Sequence, residues 1–345
     1  MKICLVNQHN ADIKEVGGAE TYLRYLSKGL RAIGHEVSFA TSDNEVVANQ
    51  KSGCDIFHFH NVADSHIGDG AVRYLKGLHI PYLFTLHDYW AICPSPNRMM
   101  IFPDSLNPFK HGDRVCEVCD NMCGAYQTNP YWNQLLRHAV CICQTPSSQK
   151  MFQNHGFLNT KLIHNCMNPE IFSPGEFDEN NKKVMFICAH GAQKWKGWEK
   201  WLEIKSIVGD KAEFVEVLGG VPNTEMPAKY REAAVFVFCS MYNETTGMAA
   251  LEAQSCGIPV VAFASGGLKD NVIDSSTGFV VERGRSDCAA QCIVELMEHP
   301  DMRKRMGEAG RKHIIENFNI EDMVKMHEDL YLEVLSGQAD YKCLV

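Results

Sequence analysis

Short, nearly unbroken apolar runs alternate along this chain with stretches whose apolar positions recur every three or four residues. KICLVNQ, VSFAT, CDIFHFHN and PYLFTLHDYW supply the runs in the first half, and VMFICAHG, FVEVLGG, VFVFCS and IPVVAF supply them in the second. Runs of this length and apolarity predict strands buried on both faces of a parallel sheet. Between them, TYLRYLSKGLRAIGHEV places Tyr22, Leu23, Leu26, Leu30 and Ile33 at helical spacing. NPYWNQLLRHAVCICQTP reads as a helix with an apolar face of Tyr131, Trp132, Leu135 and Leu136 followed by a strand, and SSQKMFQNHGF as a helix capped by its serines. QKWKGWEKWLEIKSI, the stretch from Asp287 to Phe318, and NIEDMVKMHEDLYLEVL continue the helical pattern. Strand and helix alternating in this way predict an α/β fold. PGEFDENNKK is polar and begins with proline, so a boundary is expected near residues 169–182, dividing domains at 1–168 and 169–317 from a terminal segment at 318–345.

A chain of 345 residues accommodates two such domains, and 45% apolar with 22% charged residues is the balance of a soluble globular protein. The net charge of −9 is uneven: residues 1–168 carry 14 basic and 14 acidic side chains, the remainder 19 and 28. Neither part has the basic stripe of a nucleic-acid binder. Nor does either encourage membrane contact beyond a peripheral one at the inner face. No run of about 18 apolar residues occurs and MKICLVNQHN lacks a signal-peptide profile, so a cytoplasmic protein is expected. In that compartment Cys4, Cys188, Cys239 and Cys256, set within apolar runs, read as reduced core thiols.

Chemistry concentrates between Ser240 and Gly267. Glu244 stands in a loop, Glu252 eight residues on in a helix that Gly257 and Pro259 end, and Gly266–Gly267 follow the strand IPVVAF. Thr246, Gly247 and Met248 bring backbone N–H groups to the helix start, where phosphate is favoured. Carboxylates for hydroxyls beside N–H groups for phosphate suit a nucleotide sugar. Either acid taken singly reads more simply as a surface residue. Lys194 and Lys196 follow the strand VMFICAHG and could neutralise a leaving diphosphate. In the first half Gly17–Gly18 lie between strand and helix, a glycine pair that by itself is often only a tight turn. His58, His60, Asn61, His87 and Asp88 fall at carboxyl ends of strands, where doubly wound sheets bind ligands. Of these His58 reads as structural and His87 as functional.

Residues 93–127 form an insertion rich in Pro, Asn and Asp. Cys93, Cys116, Cys119 and Cys123 supply four thiols, the last three as C-x2-C-x3-C. Such a set predicts a closed tetrahedral zinc site, with an iron–sulfur cluster as the alternative and unligated thiols as the plain reading.

The string E-x7-E, EAxxxGxPVVA and a GG pair, with GGAE and GHEV near the start, resembles the retaining glycosyltransferases of family 4, built on the GT-B fold. The resemblance spans nearly the whole chain outside 93–127. It implies two Rossmann-like domains with parallel sheets facing a cleft, and a last helix, roughly 318–336, crossing back to the first domain. It further implies transfer of a sugar from a nucleoside diphosphate donor to a glycan or lipid-linked acceptor hydroxyl with retention, and no catalytic metal. By position Glu244 would contact the donor sugar, Glu252 the ribose, Lys196 the diphosphate, and His87, in TLHD, the reacting centre. Gly17 and Gly18 would let their loop approach donor or acceptor. Gly266 and Gly267 would offer N–H groups to phosphate or sugar. One departure stands out: the family's arginine before the lysine loop falls on Gly191, leaving Lys194 to supply that charge. A nucleotide-sugar 2-epimerase and a non-catalytic sugar-nucleotide-binding protein of the same fold are the alternatives.

Overall fold

The computed structural model describes residues 1–12, 17–60, 68–91, 136–188 and 191–337. The chain divides into two compact units, Met1–Cys166 with Ile320–Val345, and Met167–Asn319.

In the first unit β1 (Lys2–Val6), β2 (Glu36–Ala40), β3 (Ile56–Phe59), β4 (Tyr82–Thr85), β5 (Val140–Cys143) and β6 (Thr160–Leu162) form one sheet in the order β2-β1-β3-β4-β5-β6. Every pairing is parallel, with Ile3 opposite Val37 on one side and Ile56 on the other. The crossovers use α1 (Gly18–Ala32), α2 (Asp43–Lys51), α3 (Asp69–Gly77) and α4 (Pro146–Asn154). Strand order reverses between β1 and β3, so the carboxyl ends of these strands frame the place where such a sheet takes a ligand. The serines expected to cap α4 lie inside its first turn. Thr145 is the cap, its hydroxyl accepting from the Ser148 N–H at 3.2 Å while Ser148 Oγ accepts from the Thr145 N–H at 3.1 Å.

The second unit carries β7 (Lys183–Ile187), β8 (Glu213–Val217), β9 (Val235–Phe238), β10 (Val260–Phe263) and β11 (Gly278–Val281) in the order β11-β10-β9-β7-β8, again all parallel. Its helices are α5 (Trp198–Val208), α6 (Met226–Arg231), α7 (Met248–Ser255), α8 (Leu268–Asn271), α9 (Ser286–Glu298) and α10 (Pro300–Asn317). The two faces of the sheet bury separate clusters, one around Tyr230, Phe236, Leu251 and Val260, the other around Trp201, Val235, Ile293 and Leu296. Here the order reverses between β7 and β9. Residues 169–182 lie within this unit, where Phe172 is buried.

The terminal helix α11 (Ile320–Leu335) belongs to the first unit and packs on α1. Gly29 makes that crossing close: a Cβ there would stand 2.2 Å from Val324 Cγ2. Met323, Val324, Leu330, Tyr331 and Val334 join Ile3, Leu5, Tyr22 and Leu26 in one core. Buried polar side chains cross the same contact. His327 Nδ1 bonds the Met323 carbonyl at 2.7 Å and so carries the proton, leaving Nε2 to accept from the Tyr22 hydroxyl at 2.7 Å. His58, fully buried in β3, bridges the Tyr331 and Thr85 hydroxyls at 2.7 Å each, the structural place its strand position suggested.

Candidate active site

In the second unit Lys196, Glu244 and Gly266–Gly267, singled out from the sequence, meet beside the switch point between β7 and β9. The chain leaving β7 forms a short 3₁₀ turn, Lys194–Lys196, closed by Gly197 at φ +90°. A Cβ on Gly197 would lie 1.9 Å from the Cys239 carbonyl oxygen, so only glycine lets this turn press against the chain leaving β9. The Trp195 carbonyl then accepts from both the Met241 and Tyr242 N–H groups, at 3.0 and 3.1 Å. That fastening delivers Lys196 to Glu244. Its Nζ donates to Glu244 Oε1 at 2.7 Å, and the Ser240 hydroxyl donates to the same oxygen at 2.8 Å. The ammonium also stands 4.9 Å from the centre of the Trp195 ring and 5.4 Å from that of Tyr242, close enough for cation–π attraction. Glu244 is buried and Lys196 half-buried. Lys194 does not join them: its largely exposed ammonium pairs with Glu199 at 3.3 Å.

The glycine pair is fastened to the backbone of Glu244. The Gly267 N–H donates to the Glu244 carbonyl at 2.7 Å, and Gly266 bridges Glu244 in parallel. A Cβ on Gly266, at φ +58°, would meet the Glu244 carbonyl oxygen at 2.3 Å. This pair holds the backbone of Glu244, so the Gly267 amide is engaged there and not on a ligand. Gly247, at φ +81° with Leu268 packed where a Cβ would be, turns the chain into α7, which begins at Met248. The Thr246 carbonyl accepts from Asn271 Nδ2 at 2.6 Å, and Arg283 bonds the Asn243 side chain at 2.5 Å. Glu252, half-buried in α7, accepts from the Tyr230 hydroxyl at 2.7 Å. Burial pushes its carboxyl up to about 7, while the hydrogen bond from Tyr230 opposes the rise.

In the first unit His87 follows β4. Its Nδ1 lies 3.1 Å from Gln144 Nε2, an amide nitrogen that only donates, so Nδ1 accepts and the ring proton is on Nε2. That proton is donated to His60 Nδ1 at 2.9 Å, which puts the His60 proton on Nε2, a buried atom with no partner. Burial, together with the nearby imidazole of His327, pushes His87 down to about 3, and burial lowers His58, His60 and His327 as well. His87 is thus a neutral ring with both nitrogens engaged, unsuited to taking up a proton near neutral pH. Tyr22 meets its edge at 5.2 Å between ring centres. Gly17 precedes α1 at φ −170°, extended backbone open to any residue. A glycine is not required there for backbone conformation. Gly18 is the first residue of α1, and Glu20 in the same turn is buried, accepting from Asn7 Nδ2 at 3.3 Å.

Sequence reasoning passed over Ser240, Trp195, Tyr230 and Gln144. Trp195, Tyr230 and Gln144 act through contacts between elements distant in the chain, Ser240 through a contact within its own loop, and none carries a spacing signal. Asn61, Tyr131, Trp132, Leu135 and the metal candidates Cys93, Cys116, Cys119 and Cys123 lie outside the described residues. Among the described residues no group of three or more His, Cys, Asp or Glu side chains is placed to hold a metal ion. Cys4, Cys188, Cys239 and Cys256 are buried free thiols. Burial pushes Cys239 and Cys256 up to about 12. No helix among the described residues is long and apolar enough to cross a membrane.

Two parallel, doubly wound units are the GT-B arrangement of secondary structure. A sucrose-phosphate synthase from Thermosynechococcus elongatus shares this fold with a TM-score of 0.72 at 18% identity, the match covering 97% of this chain and 99% of that one. Residues 209–313, which contain Glu244, Glu252 and the glycine pair, match the family model described as "Glycosyl transferases group 1". The matched residues all lie within the second unit. Over 113 residues the chain is 35% identical to a GDP-mannose-dependent alpha-(1-6)-phosphatidylinositol monomannoside mannosyltransferase of Mycolicibacterium smegmatis, 31% of this chain and 30% of that protein. It is 26% identical to the N-acetyl-alpha-D-glucosaminyl L-malate synthase of Bacillus anthracis over 95% of this chain and 97% of the relative. The stronger identity thus spans under a third of the mannosyltransferase, and the full-length likeness is the weaker one.

Proposed function

We propose that this protein is a retaining glycosyltransferase of the family 4 type, moving a hexosyl group from a nucleoside diphosphate sugar to the hydroxyl of a glycan or lipid-linked acceptor. The observation that carries the proposal is the meeting of Lys196 and Glu244 at the β7/β9 switch point, 2.7 Å apart. A cation for phosphate and an acceptor for sugar hydroxyls stand together where an α/β sheet binds nucleotides. When the bond to the leaving diphosphate breaks, negative charge grows on the phosphate oxygens. Lys196 and the N-terminus of α7 are preorganised to stabilise it. Glu244, held through its backbone by Gly266–Gly267 and through its side chain by Ser240, receives the sugar hydroxyls, and Glu252 receives those of the ribose. The role that the resemblance gives His87, at the reacting centre, belongs to this proposal as positioning by a neutral ring. The proton of the acceptor leaves with the departing phosphate. The matched relatives, one GDP-mannose-dependent and one named an N-acetyl-alpha-D-glucosaminyl L-malate synthase, support a hexose donor.

Cys93, Cys116, Cys119 and Cys123 are proposed to hold a structural zinc ion, since four thiolates complete a tetrahedron and leave no open position for catalysis.

The test is a thermal-shift screen with UDP-, GDP-, ADP- and dTDP-sugars, followed by product stereochemistry with the donor that stabilises the fold. A donor that raises Tm and a product of unchanged anomeric configuration are expected. Inversion, or interconversion of the donor at C2 without transfer, overturns the proposal.

A further inference from the structure

Tyr230 lies on α6, the helix between β8 and β9, 22 residues before Glu252. Its ring is fully buried and meets Phe172 at 6.2 Å and Phe236 at 5.7 Å, both in tilted or edge-on contact. A phenol clamped in this way has one place for its hydroxyl, and that place is 2.7 Å from Glu252 Oε2. We propose that Tyr230 is the positioning residue of the nucleoside site: by fixing one oxygen of Glu252 it orients the carboxylate to receive two neighbouring hydroxyls of a furanose diol. The inference rests on the reading of Glu252 as the ribose contact.

A carboxylate offers about four acceptor directions, and an unrestrained glutamate must give up rotamer freedom to present two of them to a diol. The bond from Tyr230 occupies one direction and removes that cost before the ligand arrives. The phenol cannot lose its proton to compete, because burial and the adjacent carboxylate both raise its pKa. Around Glu252 the titratable neighbours are Tyr230 on α6 and Cys256 on its own helix, with Arg231 and Arg311 facing Cys256. Burial favours the protonated acid in the empty site, whereas the diol needs the ionised one. Nucleotide binding is therefore coupled to release of a proton from Glu252, and the Tyr230 hydroxyl favours the ionised form.

Isothermal titration of UDP, GDP, ADP and dTDP against the full chain at several pH values tests this. For the nucleotide that the wild type binds, affinity is expected to rise between pH 6 and 8, with net proton release at pH 6. Tyr230→Phe, which keeps the ring contacts, is expected to weaken binding about tenfold, to raise the donor KM more than it lowers kcat, and to move the binding profile to higher pH. In a Glu252→Gln background the same change is expected to cost less than twofold, because the two residues act as one unit. Equal weakening by Tyr230→Phe in both backgrounds, or a wild-type affinity flat from pH 6 to 8, overturns the proposal; the second readout stands even if the Tyr230 variant does not fold. A wild type that binds none of the four nucleotides counts instead against the glycosyltransferase reading.

Discussion

Lys196 donates to Glu244 across 2.7 Å, and their two loops are fastened together through the Trp195 carbonyl, which accepts from the Met241 and Tyr242 N–H groups. In the second unit the cation read as serving phosphate and the acid read as serving sugar neutralise one another. On the proposed reading, a donor that brings its own negative charge would give Lys196 a new partner and free a Glu244 oxygen for a hydroxyl, exchanging one ion pair for another instead of burying unpaired charge.

Lys196→Met removes the cation and leaves Glu244 buried with Ser240 alone. The expected result is a kcat/KM lower by about 10²–10³. Folding stability should fall by only about 1–2 kcal/mol, because Lys196 is half-exposed. Steady-state kinetics and urea unfolding read the two effects, and a kcat/KM within tenfold of wild type removes Lys196 from the leaving-group role.

Gly197→Ala tests the fastening that delivers Lys196. A methyl group 1.9 Å from the Cys239 carbonyl, on a residue at φ +90°, forces the 194–197 turn away from β9. A loss of about 3 kcal/mol or more in urea is expected. Retention of full stability shows that the turn relaxes freely, and the requirement for glycine is then wrong.

Glu252→Ala and His87→Ala separate binding from turnover. The first is expected to raise the donor KM about 10–100-fold through loss of a charged hydrogen-bonding partner. The second is expected to lower kcat by about 10² with a smaller change in KM, since it disturbs geometry at the reacting centre. An unchanged donor KM in Glu252→Ala removes the ribose assignment.

Acid should loosen the first unit. His58, His60, His87 and His327 are all depressed below their ordinary value of 6.5, His87 to about 3 and His327 to about 4. Unfolded, they bind protons below about 6.5 that the folded unit refuses. Their contribution is therefore complete above pH 6.5 and is lost as pH falls below it. Glu252 acts oppositely, since a carboxyl raised to about 7 favours the folded state as pH falls from 7 to its ordinary 4.5. It belongs to the second unit, and it is one group against four. Urea unfolding followed by hydrogen exchange in α11 should show the terminal helix destabilised between pH 6.5 and 4.5. A flat profile there contradicts the neutral network of Tyr22, His58, His327 and Tyr331.

Protein purified without chelator is expected to hold about one zinc ion per chain, with Cys93→Ser and Cys119→Ser each reducing it. Less than about half an equivalent of zinc plus iron removes the metal reading.

The strands, the helices after them and the positions of Glu244, Glu252, Lys196 and His87 were legible because each lies in local pattern: apolar runs, helical spacing and a glycine next to a helix start. Local pattern marked Gly266–Gly267 and Lys194 as candidate donor contacts, but a sequence gives no account of what a backbone N–H or an ammonium already touches. Gly267 gives its amide to the Glu244 carbonyl and Lys194 turns to Glu199.

By itself the sequence determined the alternation of strand and helix, since burial on both faces of a parallel sheet demands continuous apolar runs, and it determined which residue types could serve phosphate and hydroxyls. The tertiary structure alone decided the partners. That Lys196 reaches Glu244, that Tyr230 reaches Glu252 and that His87 is closed between His60 and Gln144 depends on contacts between residues 22 to 57 positions apart. Such contacts follow from strand order and helix packing, which set distances in space that spacing along the chain does not encode.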